Sequence, residues 1–403
     1  MRIHPNNIPV PGREPYLVYD PRQLPIPIDT FVLPPVQLTP PSETTALPNA
    51  LRFWVSLGPA VERAQIAELA AMEGLSGFRI NVPKFPSNEA LARYIEDVLG
   101  GRRGQSICVD LGGPKIRVRG LTEISGQNFI NLFAGDPVAV VDSPTAHNDG
   151  SLDGFSVIPI NAPVSSLGAR PGDLVFMSDG WLQLRVETVA DDRLLCRSLH
   201  DCKMWDGRGV DVPGMYDARD PILDVDADVF PALRDLLPHI DFFALSFTNR
   251  GEDVAAFRTL LRRSGSEARI VAKVETRTGV RNAVTIAATA DAIMIARGDL
   301  AVQLAPARED IVEVEDHIRA VCRAANVPCI VATRVADSLE GGGDTLTEPE
   351  IARLAHELAQ GSPLTLMLAQ ETLDGATAGR NYGIVLETIR RLLPHFRSVW
   401  STA

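Results

Sequence analysis

From Leu51 onward, short apolar runs alternate with longer amphipathic segments. The runs are LRFWVSLG (51–58), GFRINV (77–82), SICVDL (106–111), FFALSF (242–247), RIVAKVE (269–275), AIMIARGD (292–299), PCIVAT (328–333) and TLMLAQET (365–372). Their length and apolar content predict eight strands. Between and after them, apolar residues recur near every 3.6 positions, as in Ile311, Val314, Ile318 and Val321. That period predicts helices over 61–74, 88–100, 228–238, 251–264, 278–290, 308–325, 347–360 and 383–396. Eight β-then-α units point to a closed barrel rather than an open sheet.

One interval breaks the rhythm. Residues 118–212, between the third strand and its helix, carry no strong helical pattern and read as strands and turns. In VFMSDGWLQLRVETV (175–189), Val175, Met177, Leu182, Leu184 and Val186 mark two strands, and Asp179-Gly180 predicts a tight hairpin turn. Without this interval the barrel portion comes close to the roughly 250 residues usual for the fold. The expected fold is α/β: a (β/α)8 TIM barrel formed by 51–117 and 213–403, with an inserted all-β domain, 118–212, after strand 3. An insertion there is positioned to act as a lid. Residues 1–50 stand apart, because prolines including Pro34-Pro35 and Pro40-Pro41 exclude long helices and central strands. They are expected to form an extended arm on the domain surface or to be partly disordered.

Composition narrows the function classes. Hydrophobic residues make up 45% and charged residues 22%, the mix of an ordinary soluble protein. A net charge of -12 argues against a general nucleic-acid or anionic-membrane surface. An anionic substrate therefore needs a local cationic pocket. Five cysteines without metal-type spacing and without a secretory signal suit free thiols in a reducing compartment. No apolar run reaches the roughly 18 residues of a membrane helix. A cytoplasmic location is expected.

Active sites of such barrels lie at the C-terminal ends of the strands. Those ends carry Arg79 and Asn81, Asp110, Lys273 and Glu275, Arg297 and Asp299, Thr333, and Glu371. Strand alternation predicts that Lys273 and Glu275 share a side, as do Arg297 and Asp299. Two cations and two carboxylates near one axis are costly as mere structure, whereas a metal and an anionic ligand would balance them. The competing explanation is a solvated rim of ion pairs. Carboxylates without His or Cys partners favour a hard cation, Mg²⁺ or Mn²⁺, over zinc.

At these residues the sequence resembles the pyruvate kinase family. AKVETRTGVRNAVTIAATADAIMIARGDLAVQL (272–304) is similar to that family's signature. SLGPA (56–60), FRINV (78–82), DLGGPKIR (110–117), SDG (178–180), GVDVPG (209–214), LSF (245–247), ATR (332–334) and ET (371–372) follow the family's order. The resemblance implies that Glu275 and Asp299 coordinate Mg²⁺ or Mn²⁺, and that Lys273 stabilises the phosphoryl group in flight. It implies that Arg79 binds that group in the ground state and that Arg117 serves the nucleotide side. Backbone N–H groups near Gly298 and Asp299 would receive the substrate carboxylate. Thr333 would sit in a proton relay beside the enol carbon. Asp110 and Glu371 are further expected site positions. Taken alone, Thr333 reads as a half-buried strand residue.

Several positions depart from the family. Where potassium-requiring members carry Ser, Thr and Glu, this chain has Pro83, Leu111 and Lys115. Two side-chain oxygens are lost and a fixed ammonium is gained. With Leu111 and Val118, Lys115 resembles the potassium-independent branch, and no potassium requirement is expected. On the nucleotide side, Ser-His becomes Pro83-Lys84, a Lys-Lys pair becomes Gly207-Arg208, and Ser-Gly becomes Ala369-Gln370. Glu348 stands where an Arg is usual. Asn81, Lys84, Arg117 and Arg208 remain the candidate nucleotide contacts. The chain ends soon after the eighth helix, so a C-terminal regulatory domain is expected to be missing. A homo-oligomer would then use barrel faces.

Three functions compete. The leading one moves a phosphoryl group between phosphoenolpyruvate, or a close analogue, and a nucleoside diphosphate. The eroded nucleotide side motivates the second, a metal-dependent enolate-forming lyase, aldolase or 2-oxo acid decarboxylase. The third is a catalytically silent ligand-binding homologue.

Overall fold

The computed structural model describes residues 47, 50–142, 152–217, 227–305, 311–340, 342–361 and 363–400. The expected N-terminal arm lies almost wholly outside them. Among the described residues there are sixteen strands. In chain order, β1 (Leu51–Leu57), β2 (Leu75–Asn81) and β3 (Ser106–Asp110) come first. Then follow β4 (Phe129–Leu132), β5 (Pro137–Val141), β6 (Ser156–Pro159), β7 (Leu174–Met177), β8 (Leu182–Val189), β9 (Arg193–Ser198), β10 (Cys202–Trp205) and β11 (Val210–Asp211). The last are β12 (Phe242–Leu245), β13 (Arg269–Val274), β14 (Ala292–Ala296), β15 (Cys329–Ala332) and β16 (Leu364–Leu368).

Strands β1, β2, β3 and β12–β16 close a parallel barrel in the order β1-β16-β15-β14-β13-β12-β3-β2. The eight predicted strands are therefore the eight staves. Alternation divides each strand between an outer, helix-covered side and the barrel interior. Trp54, Cys108, Phe242, Ala244, Val271, Met294, Ile330 and Met367 fill the interior as one apolar cluster. Gly77 makes room for it, since a Cβ there would lie 2.5 Å from the Trp54 indole nitrogen. The opposite parity packs outward, as where Phe243 meets Phe230 and Phe257 at ring distances of 5.3 and 6.4 Å.

The strands β4–β11 form two further sheets, a two-stranded β10-β4 and a six-stranded β11-β7-β8-β9-β5-β6. The second is mainly antiparallel, with β5 and β6 paired in parallel. They enclose their own core, including Val140, Ile158, Val175, Leu184 and Met204. The hairpin at Asp179-Gly180 joins β7 to β8, with Met177 opposite Leu182. Its turn is wider than two residues, and Ser178, Asp179 and Gly180 all have positive φ. One compact unit holds the described residues of Lys115–Arg219 and Gly298–Ile311. The other holds those of Ile28–Pro114, Asp220–Arg297 and Val312–Ala403.

Three helical expectations change. The segment 228–238 forms only short turns, Val229–Ala232 and Leu237–His239. The segment 278–290 breaks at Asn282 into Arg277–Arg281 and Ala283–Ala287. The last helix starts earlier, at Gly375, where Asp374 caps the Ala376 N–H at 3.0 Å. The sixth strand also stops short of the expected Asp299. It ends at Ala296, and Arg297–Leu304 is helical. Residues two apart on a helix point about 200° apart rather than to one side. The shared direction expected for Arg297 and Asp299 is therefore wrong: Arg297 turns to Glu315 and Glu357, while Asp299 pairs with Lys115.

Candidate active site

The interior parity of the staves continues past the apolar cluster into polar residues at the C-terminal ends. Ser56 lies two residues beyond Trp54, Arg79 two beyond Gly77, and Asp110 two beyond Cys108. Ser246 lies two beyond Ala244, and Lys273 two beyond Val271. These five meet. Asp110 is fully buried and accepts from Arg79 at 2.7 Å (Nε) and 2.6 Å (Nη2) on Oδ2. Its Oδ1 lies 3.3 Å from the Lys273 ammonium. Lys273 also donates to Ser246 Oγ at 2.9 Å and pairs with Glu275 at 3.2 Å. Arg79 donates to Ser56 Oγ at 3.0 Å. Glu275, just past β13, accepts the Phe247 N–H at 2.7 Å. Burial alone would raise the Asp110 carboxyl, but Lys273 and Arg79 hold it below the usual aspartate value.

Two guanidinium or ammonium groups and two carboxylates thus share a water-poor pocket of the barrel unit. Lys273 and Arg79 are cations fixed from several directions, as an incoming anion requires. Asn81 ends β2 half-buried, and Lys84 is exposed in the turn that follows. Thr333 has φ 63° and Arg334 φ 54°, unusual for non-glycine residues and costly for the β-branched Thr333. The Thr333 hydroxyl donates to the Ala332 carbonyl at 2.6 Å. Glu371 takes a different part. It is buried, accepting N–H bonds from Ala336 at 3.0 Å and Ala369 at 2.7 Å, and so joins the segments after β15 and β16. Burial, with Asp337 adding, pushes its carboxyl up to about 7.

In the other unit, Lys115 reaches Asp299 at 2.5 Å and Asp179 at 3.1 Å. Gly209 permits this path, because a Cβ there would fall 2.2 Å from the Lys115 Cε. Burial alone would lower the Lys115 ammonium, yet Asp179, Asp299 and Asp211 hold it well above its ordinary value. Asp211 is fully buried, and burial pushes its carboxyl up to about 7 against the pull of Lys115. The Gln303 amide donates to Asp211 at 3.4 Å and accepts the Gly214 N–H at 2.9 Å. Arg117, half-buried, donates to the Gly207 carbonyl at 3.1 Å. Arg208 and Gly298 are also half-buried in this unit.

Among the described residues no three His, Cys, Asp or Glu side chains form a self-sufficient metal cage. Glu275 in the barrel unit and Asp299 in the other unit each carry oxygen donors of the type a hard cation such as Mg²⁺ or Mn²⁺ takes. Ser246, Asp179 and Asp211 were not singled out as site residues by the sequence reading. Each lies inside a motif quoted above, but only side-chain contact separates it from its neighbours.

A closed parallel barrel with charged residues at its C-terminal strand ends, carrying a β-rich insertion, is the class these features define. A family model described as the pyruvate kinase barrel domain matches residues 52–379, and the chain belongs to the pyruvate kinase family. It is 29% identical to the pyruvate kinase of Agrobacterium vitis over 80% of this chain and 64% of that protein. It is 30% identical to the pyruvate kinase of Thermoplasma acidophilum over 79% of this chain and 54% of that protein. The chain thus spans less than two thirds of the length of these relatives. A pyruvate kinase structure from Cryptosporidium parvum shares the fold, with a TM-score of 0.68 at 23% identity over 88% of this chain and 71% of that one. No described helix is long and apolar enough to cross a membrane.

Proposed function

We propose that the protein transfers a phosphoryl group between phosphoenolpyruvate, or a close analogue, and a nucleoside diphosphate. The supporting observation is the arrangement of Lys273 among Asp110, Ser246 and Glu275 with Arg79 alongside. Phosphoryl transfer depends on positioning and charge neutralisation more than on covalent chemistry. Arg79 binds the phosphoryl oxygens, and Lys273 neutralises charge as the group moves. Glu275 and Asp299 hold Mg²⁺ or Mn²⁺, which when bound neutralises phosphoryl and enolate oxygens. Backbone N–H groups at Gly298 and Asp299 receive the substrate carboxylate, and Thr333 belongs to the relay that protonates the enolate. Arg117, Arg208, Asn81 and Lys84 contact the nucleotide.

Lys115 replaces potassium in this reading. Its ammonium, bonded to Asp179 and Asp299, supplies a permanent positive charge where a bound monovalent ion would otherwise be needed. The test is pyruvate production from phosphoenolpyruvate in sodium- and potassium-free buffer, with Mg²⁺ or Mn²⁺ and a panel of diphosphates. Turnover that requires a diphosphate and is indifferent to added potassium is expected. Absence of turnover with every acceptor defeats the reading. Enolate chemistry indifferent to nucleotide would favour the lyase.

A further inference from the structure

We propose that Cys322 and Cys329 form a peroxide-sensitive dithiol that closes reversibly to an intramolecular disulfide. Neither residue enters the phosphoryl-transfer reading, so the two stand or fall separately.

The local fold brings the thiols together. The helix Ile311–Ala325 gives way to Asn326, which takes the left-handed conformation at φ 54°. The Asn326 N–H donates to the Arg323 carbonyl at 3.1 Å, and the Val327 N–H to the Cys322 carbonyl at 2.9 Å. This paired closure folds the chain back over the last helical turn. The strand β15 begins two residues later at Cys329, whose thiol is hydrogen-bonded to that of Cys322. Both residues line a cavity of about 390 Å³ at the start of the strand. Exposed Arg323, Asn326 and Pro328 share the lining, so the cavity opens to solvent. Hydrogen peroxide needs little more room than a water molecule, about 30 Å³, and fits there.

The pair is asymmetric. The hydrogen bond from Cys329, helped by the Arg319 and Arg323 guanidiniums, favours the Cys322 thiolate and outweighs burial, holding Cys322 below its ordinary value. The same hydrogen bond, with burial, holds Cys329 well above its own. By contrast, burial pushes Cys196 and Cys202 up to about 12. Cys322 is therefore the nucleophile and Cys329 the resolving thiol. The Cys322 thiolate attacks one peroxide oxygen and breaks the O–O bond. A sulfenic acid forms, and the released hydroxide takes up the thiol's proton to leave as water. The Cys329 sulfur then attacks the Cys322 sulfur, so the S–S bond forms as the S–O bond breaks. The second hydroxide leaves as water with the Cys329 proton. Two thiols lose two electrons, and one peroxide becomes two waters.

The experiment treats the full chain with hydrogen peroxide under native conditions, then denatures, alkylates and digests it with trypsin for mass spectrometry. Cleavage after Arg319, Arg323 and Arg334 puts the two cysteines on separate peptides, 320–323 and 324–334. These two joined by a disulfide, with all five cysteines alkylatable again after dithiothreitol, is the expected result. Each pKa unit changes the thiolate fraction about tenfold, so Cys322 should lose alkylation at least about tenfold faster than Cys196. In Cys329→Ala, dimedone present from the start should trap a sulfenic acid on Cys322. Five alkylatable thiols after a treatment that fully oxidises glutathione overturn the proposal. So does a disulfide between any other pair, or one that forms only as the circular dichroism signal of the fold is lost.

Discussion

Asp110→Asn keeps the shape of a fully buried side chain and removes its charge. Arg79 would then lose its carboxylate partner and Lys273 would keep only Glu275, although both contact Asp110 now. Losing one member of a buried ion pair costs about 3–5 kcal/mol, and because Lys273 keeps Glu275 at 3.2 Å this variant falls near the middle of that range. For a domain of roughly 250 residues, about 4 kcal/mol lowers the unfolding midpoint by roughly 8–16 °C. The pH dependence supplies a second check. The folded Asp110 carboxyl lies below the unfolded value of 3.8, because Lys273 and Arg79 overcome the effect of burial. A depressed acid stabilises the fold above its unfolded value, and that contribution is lost as pH falls through the folded value. The gap between the native protein and Asp110→Asn should be wide at pH 7 and narrow as pH drops below about 4. Thermal unfolding followed by circular dichroism at both pH values reads it. Adding Lys273→Met to Asp110→Asn removes the cation left facing Arg79, and recovery of about 1–3 kcal/mol is expected from the coupling. A midpoint at pH 7 unchanged within error would refute the reasoning, as would strict additivity of the two substitutions.

Lys115→Ala leaves Asp179, Asp211 and Asp299 without their shared ammonium. Steady-state assays in potassium-free buffer should show a loss of at least about tenfold, near 1.4 kcal/mol in the barrier, partly restored by potassium. Arg297→Met strips the buried Glu315 of its two-point partner and leaves Glu357 with Arg319 alone, and denaturant unfolding should report a loss of about 3–5 kcal/mol. Glu371, raised to about 7 by burial and Asp337, favours the fold most below the unfolded value of 4.5. That contribution is lost as pH rises through 7. The unfolding midpoint should therefore fall between about pH 4.5 and 7, and fall less in Glu371→Gln.

The barrel was legible because each stave is a short apolar run and each following segment repeats near 3.6. The same parity that buries Trp54, Cys108 and Val271 brings Ser56, Asp110 and Lys273 to the pocket, so residues at strand ends could be read by counting in twos. Counting failed one residue past β14. ARGDL continues an apolar run with no Ser, Thr, Asp or Asn before Arg297 to announce a helix, yet the backbone turns there and separates Arg297 from Asp299. Asn282 broke a helix whose apolar period ran through it. Gly375 and Gly379, poor helix formers, concealed the early start of the last helix. Asp179, Asp211 and Ser246 were hidden for another reason. Each is a single polar residue in a strand or turn, and its importance comes from partners 27 to 136 positions away, such as Asp110 and Lys273 for Ser246.

The proposal that phosphate passes from an enol phosphate to a nucleotide is tested most directly by ³¹P NMR of the protein with phosphoenolpyruvate, Mg²⁺ and a nucleoside diphosphate in potassium-free buffer. Loss of the phosphoenolpyruvate signal with matching growth of a nucleoside triphosphate γ-phosphate, abolished in Lys273→Met, is the predicted result. Phosphorus appearing as inorganic phosphate, or a phosphoenolpyruvate signal that never changes with any diphosphate, would contradict it.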